Sequence, residues 1–195
     1  MLPSKSLVKN WNELRAHLNW AYDGEVRDHF RHSKYRAEGV VAWFIRKGAV
    51  TLEFAHKKEH FGAGCWIFPK DEAGQQHFEE GTTMLSVCFQ LEWKEGTPLF
   101  ERSRTLTVDR DKAGSLTSIG ERLARLYEGV SFETMTLDRN PQELNLFLDQ
   151  QRLFYGWLSA FVRILQDQGL KPVLVAKLDE RVSAAANIMD RRNLR

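Results

Sequence analysis

The side chains of this sequence that can do chemistry are scattered rather than gathered. Among six histidines, His56 and His60 stand four apart across Lys57-Lys58-Glu59, a spacing that strand geometry does not aim at one point. His77 has no second ligand near it in the sequence. A divalent metal needs several such donors converging, so no bound catalytic metal and no other cofactor is expected. Asp71 and Glu72 follow Pro69 in a turn and read as solvent-exposed. Cys65 and Cys88 lie inside strand-like apolar runs, the usual setting of inert core thiols. The sequence holds no nucleophile elbow, no glycine loop for phosphate and no paired acids at a diagnostic spacing. No catalytic residue is assigned.

Aromatic surface, by contrast, is abundant. Six tryptophans and twelve phenylalanines place Trp43, Phe44, Trp66, Phe68, Phe89 and Trp93 on candidate strands. Two readings stay open. Large rings can simply fill a small β-barrel, or they can line an apolar pocket in which a few polar groups orient one small ligand. On the second reading the ligand-binding set is Trp43, Arg46, Trp66, Phe68, His77, Phe89 and Gln90. Arg46 alternates with Ala42 and Phe44. It either points inward to pair with an acidic or hydroxylated ligand, or ends its strand in water.

The elements that position these residues change character near residue 110. Before it, short apolar–polar alternations predict strands over Val40 to Arg46, Ala49 to Phe54, Cys65 to Phe68 and Met84 to Trp93. Thr105 to Val108 closes the set and Glu25 to Phe30 opens it. Gly48 supplies the backbone freedom for a hairpin between the first two, and His56 to His60 is read as the next turn. In Met84 to Trp93, the side chains of Leu85, Val87, Phe89, Leu91 and Trp93 share one face, with Ser86, Cys88, Gln90 and Glu92 on the other. Strands this short and this evenly spaced predict an antiparallel barrel or sandwich.

After residue 110 the apolar period lengthens to three and four. Ser118 with Glu121 forms a capping-box pattern, and Ser115 is an alternative start one turn earlier. Asn140-Pro141 opens a second helix that runs to about Gln168 and stops at Gly169. Its apolar face holds two stripes: Leu144, Leu148, Gln151, Tyr155, Leu158, Val162 and Leu165, and beside it Phe147, Phe154 and Phe161. Such width exceeds one ordinary packing surface. Either the helix is buried between the barrel and a neighbouring helix, or one stripe meets a second subunit. Asp179 caps a last short helix whose apolar side is Val182, Ala185, Ala186 and Met189.

The order of these pieces resembles a known family. The run Trp43 to Leu52, then Gly62 to Pro69, His77-Phe78 and Leu85 to Trp93, is similar to the N-terminal cupin-like domain of AraC-family transcriptional regulators. The tail from Leu178 to Ile188 resembles the first helix of that family's DNA-binding domain. The resemblance implies a mainly β fold with C-terminal helices: a cupin-like antiparallel barrel (a double-stranded β-helix) over 1–110, a helical dimerisation and linker segment over 111–175, and the start of a helix-turn-helix domain over 176–195. It implies a small-molecule effector, a sugar or small organic acid, and a homodimer built on Leu144, Leu148, Tyr155, Leu158 and Leu165. DNA is then reached only through a C-terminal domain outside this chain. A stand-alone cupin enzyme, an isomerase or dioxygenase, is the alternative; it calls for a metal-ligand set that His56, His60 and His77 do not supply.

Bulk properties agree with that frame. At 195 residues there is room for one domain with a helical appendage. A net charge of +2 is too balanced for a nucleic-acid surface, and two cysteines make no disulfide framework. No signal peptide is read at the N-terminus, and no apolar run approaches the roughly 20 residues of a bilayer span, so a cytoplasmic protein is expected. The first prediction follows from the missing recognition helix. In a gel-shift titration at physiological salt these 195 residues show no sequence preference. A salt-resistant, site-dependent shift would show that the C-terminal stretch has been misread.

Overall fold

The computed structural model describes residues 11–35, 39–128 and 143–174. Within them, β1 (Leu14–Glu25) leads through a four-residue helical turn, α1 (Asp28–Arg31), into β2 (His32–Tyr35). Then follow β3 (Val40–Lys47), β4 (Ala49–Phe54), β5 (Lys57–Gly62), β6 (Cys65–Phe68), β7 (Gly74–Phe78), β8 (Thr83–Trp93) and β9 (Leu106–Asp109). Two longer helices end the described chain: α2 (Leu116–Arg125) and α3 (Leu144–Asp167). The helix read from Asp179, the Asn140-Pro141 start and the DNA-binding resemblance fall outside the described residues.

The strands form two antiparallel sheets, one ordered β1-β8-β3-β6-β9 and the other β2-β7-β4-β5. The expectation of a mainly β fold with C-terminal helices holds at that level. The expected closed barrel does not: the sheets face each other as separate, open layers. The five-stranded sheet is covered on both sides. Leu18, Phe44, Trp66, Phe68, Leu85, Val87 and Phe89 pack in one core with Leu116, Leu123, Phe154, Trp157, Phe161 and Leu165 of the helices. From the opposite face Val41, Trp43, Ile45, Ile67, Met84 and Cys88 join Tyr35, Val50, Leu52, Phe54 and Phe78 of the second sheet. Accordingly all six residues from Val40 to Ile45 are buried, as a strand sandwiched between two layers requires.

Several local expectations change for the same reason. Gly48 does not make a hairpin, because β3 and β4 belong to different sheets. Its φ of +79° instead swings the chain from one layer to the other, and a Cβ there would collide with Thr82 Oγ1. Glu25 to Phe30 is not an opening strand. The chain there crosses between sheets, held where Val26 N–H donates to Thr82 O at 2.9 Å, and coils into α1. The opening strand is β1, which pairs along its length with β8. His56 to His60 is mostly strand rather than turn: Phe54 pairs with Lys57 and Thr51 with His60, leaving a two-residue turn. The first long helix starts at Leu116 with Ser115 as its cap position, the earlier of the two starts.

The apolar stripe on α3 divides. Phe154, Trp157, Phe161 and Leu165 are buried, and Phe89 meets Phe154, Trp157 and Phe161 edge-on with ring centres 5.8, 5.2 and 5.2 Å apart. Such edge-to-face pairs add to burial alone. Leu144, Phe147, Leu148 and Tyr155 are exposed. A pair of truncations separates the halves. Leu158, 7% exposed, should cost about 2–4 kcal/mol on Leu158→Ala, whereas Leu148, 54% exposed in the single chain, should stay within about 0.5 kcal/mol on Leu148→Ala when both are measured at protein concentrations that keep the chain monomeric. Urea unfolding of the two variants measures both, and equal losses would mean the helix is seated differently.

Candidate functional site

Strand parity decides which side chains can meet a ligand. Residues of the five-stranded sheet with the parity of Leu85 and Phe89 face the helices, and those with the parity of Ser86 and Cys88 face the second sheet. Of the ligand-binding set read from the sequence, Trp43 lies between the sheets. Trp66, Phe68 and Phe89 lie on the helix side: Trp66 Nε1 donates to Thr117 Oγ1 at 2.9 Å, and Phe68 meets Phe161 at 5.2 Å between ring centres. Gln90 shares the inward parity but is exposed. His77 sits on the outer face of the second sheet, paired in register with His32 and Thr51.

Arg46 takes the second of the two courses open to it, exposed near the end of β3, and is held there by two acids. It turns toward the helix side, where Nε and Nη2 donate to the two carboxylate oxygens of Asp23 at 2.9 and 2.8 Å, and Nη2 also reaches Glu121 Oε1 at 2.7 Å. One guanidinium thus ties β3 and β1 to α2. A bidentate pair with a second carboxylate is the geometry that a planar fork serves best.

The residues that do converge between the sheets are Trp43, Tyr35, Phe78, Ser86 and Cys88. Trp43 is edge-on to Phe78 and Tyr35, with ring centres 5.3 and 6.0 Å apart. Ser86, buried, accepts from Trp20 Nε1 at 3.2 Å. Tyr35 is 3% exposed, and its hydroxyl has no hydrogen-bond partner among the described residues. Burial pushes this phenol up to about 12, with Arg102 acting in the opposite direction and Asp71 and Cys88 adding to the rise. Beside it Arg102, also buried, is locked: its guanidinium pairs with Asp71, Nε donates to Pro69 O at 3.1 Å, and its backbone N–H donates to Asp71 Oδ2 at 2.8 Å. Asp71 is exposed, as expected, and is at the same time the anchor of a buried arginine.

Sequence reasoning missed Tyr35 and Arg102. Tyr35 ends a four-residue strand flanked by charged residues, and Arg102 lies between strands, so neither falls in an alternating run. The only available signal was the pair itself, an acid after Pro69 and an arginine some thirty positions on, which spacing cannot join. Among the described residues no group of three or more histidine, cysteine, aspartate or glutamate side chains is placed to hold a metal ion. No helix of the described residues is long and apolar enough to cross a membrane. No protein-family model matches the chain, and no curated protein is significantly similar to it.

An unpartnered buried hydroxyl has a measurable signature. A phenol that titrates near 10 in the unfolded chain and about 12 when folded holds its proton longer in the native state. Stability is unaffected by it below pH 10 and falls by about 1.4 kcal/mol per pH unit between 10 and 12. Tyr35→Phe should remove that part of the alkaline loss. At neutral pH it should also stabilise the empty protein by about 1 kcal/mol, since a desolvated hydroxyl without a partner disappears. Urea unfolding of both proteins from pH 7 to 11 tests this; a destabilised variant at pH 7 would show that the hydroxyl has a partner.

Proposed function

We propose that this chain is the effector-sensing and dimerisation part of an AraC-type transcriptional regulator, with a cupin-like inter-sheet space as the effector site. The observation that carries the reading is the Tyr35 hydroxyl, buried in the core between the sheets and without a hydrogen-bond partner among the described residues. A donor of that kind is unfavourable until a ligand accepts from it. The effector class is a sugar or small organic acid: Trp43 and Phe78 are the rings nearest a sugar or an aromatic acid, and a phenol O–H can donate to a sugar oxygen or a carboxylate. The exposed half of α3, with Leu144, Phe147, Leu148 and Tyr155, supports self-association, because soluble monomers seldom leave such a patch in water. DNA is reached through a domain outside this chain, and the site of action is the cytoplasm. Neither catalysis nor a cofactor is part of this reading.

Thermal-shift screening with monosaccharides and small carboxylic acids is the direct test. At 100 times its dissociation constant an effector should add about 2.7 kcal/mol to stability, and Tyr35→Phe should weaken that effector by about 2- to 10-fold. No shift from either class, or equal binding by the variant, would remove the inter-sheet space as the site. On the dimer, Leu148→Glu should convert a sedimenting dimer into a folded monomer, the substitution acting twice across a two-fold axis. A wild-type chain that sediments as a monomer would refute the dimer formed by these residues alone.

A further inference from the structure

Facing solvent on the second sheet, each of the four strands contributes one side chain to a single row. His32 of β2 is paired with His77 of β7, His77 with Thr51 of β4, and Thr51 with His60 of β5. Within that row His32 Nδ1 and His77 Nδ1 stand 3.1 Å apart, with the rings inclined at 46°. On the far side of the His77 ring, Glu53 Oε2 lies 3.7 Å from Nε2, and Lys58 Nζ lies 3.0 Å from the same oxygen. His60 is engaged separately, its Nδ1 3.1 Å from Thr51 Oγ1.

Two ring nitrogens this close cannot both present lone pairs or both present protons; one proton or one cation must lie between them. A proton on Nε2 of His77, the side of the ring on which the Glu53 carboxylate lies at 3.7 Å, leaves Nδ1 with its lone pair turned toward His32. Metal–nitrogen bonds of about 2.0–2.1 Å separate two ligands by about 2.9 Å at a right angle and about 3.3 Å at the tetrahedral angle. The observed separation lies between these values. We propose that His32 and His77 together hold one exchangeable divalent transition-metal ion on the outer face of the second sheet, with Glu53 as positioning residue. Imidazole donors suit copper, nickel and zinc, with Cu(II) the tightest. Water completes the coordination, since the described residues offer no third protein ligand.

This departs from the expectation drawn for His77 from its spacing, and it stands apart from the effector reading, which concerns the opposite face of the same sheet. The consequence is structural: the ion cross-links β2, an edge strand, to β7. Tyr35 is the inward-facing end of that edge strand, so the ion steadies the strand that supplies the buried hydroxyl.

The test uses the full chain, freed of metal with a chelator and titrated with CuCl2, NiCl2 or ZnCl2. Calorimetry should give one ion per chain, with Cu(II) tighter than either other ion. Cu(II) electron paramagnetic resonance should show nitrogen coordination, and the melting temperature should rise with added ion. His32→Gln and His77→Gln should each weaken binding at least 10-fold and abolish the thermal shift, and Glu53→Gln should weaken it by about 10-fold. His60→Gln, which removes one exposed imidazole from the same row, should change neither. Binding should fade as protons compete at lower pH. A folded wild-type chain that takes up no stoichiometric ion would overturn the proposal, leaving a shared proton between the rings. Equal losses in His60→Gln and His77→Gln would overturn it too, as would binding that survives the double His32/His77 substitution.

Discussion

Everything in this fold hangs on the burial of the five-stranded sheet from both sides. A sheet covered on one face can expose polar residues on the other; this one cannot. Its central strands β3 and β8 carry apolar or small side chains at almost every position, with Ala42, Phe44, Val87 and Phe89 toward the helices and Val41, Trp43, Ile45 and Cys88 toward the second sheet. Large rings are concentrated on the helix side, where Trp66, Phe68 and Phe89 interlock with Trp157 and Phe161. On β8 the inward face carries Met84, Ser86 and Cys88, two of them small. The effector site proposed between the sheets therefore meets two small residues, Ser86 and Cys88, on the β8 side. Its rings come from Trp43, Tyr35 and Phe78 instead.

That same double burial sets the cost of polar groups in the interior. A guanidinium as buried as that of Arg102 is tolerable only with its charge and donors met, and Asp71 and the Pro69 carbonyl meet them. The loop after β8 is thus tied to the turn between β6 and β7, next to Tyr35. By contrast the Tyr35 hydroxyl is unmet among the described residues, which is why it rather than Arg102 marks the candidate site. Arg102 is already committed; Tyr35 is available.

Much of the fold was legible in the sequence, because alternation and turn residues act locally. The strands from Val40, Ala49, Cys65 and Met84 fall close to their expected bounds, and the alternation in β8 assigned its two faces correctly. What the pattern cannot say is which face meets which layer. Phe89, Trp66 and Phe68 look like pocket lining until α2 and α3 are placed over them. β1 escaped notice because an edge strand with one wetted side mixes polar and apolar residues, and its bulge between Leu18 and Trp20 breaks the period of two. The Arg46–Asp23–Glu121 tie, the Arg102–Asp71 pair and the His32–His77 pair all join residues far apart in the chain. Each depends on sheet register, a global property that no local spacing encodes.

The two faces of β8 give the effector reading a physical route to the helices. Ser86 and Cys88 face the second sheet, while Val87 and Phe89, their immediate neighbours along the strand, face the helices. A close-packed interior transmits displacement instead of absorbing it, so a ligand that shifts β8 moves the seat of Phe154, Trp157 and Phe161. The chain beyond α3 is fastened to this strand as well. Trp93 Nε1 donates to Val173 O at 2.8 Å, and Val173 N–H donates to Leu99 O, also at 2.8 Å. Helix α3 is therefore held along its buried face and just past its C-terminal end, while Leu144, Phe147 and Leu148 at its start have no such seat. A ligand can bias only an equilibrium between states it binds unequally, and the unseated start of α3 is where two such states differ least in core packing. On the proposed reading, one strand and one helix form the continuous packed path from the inter-sheet residues to the exposed helix start.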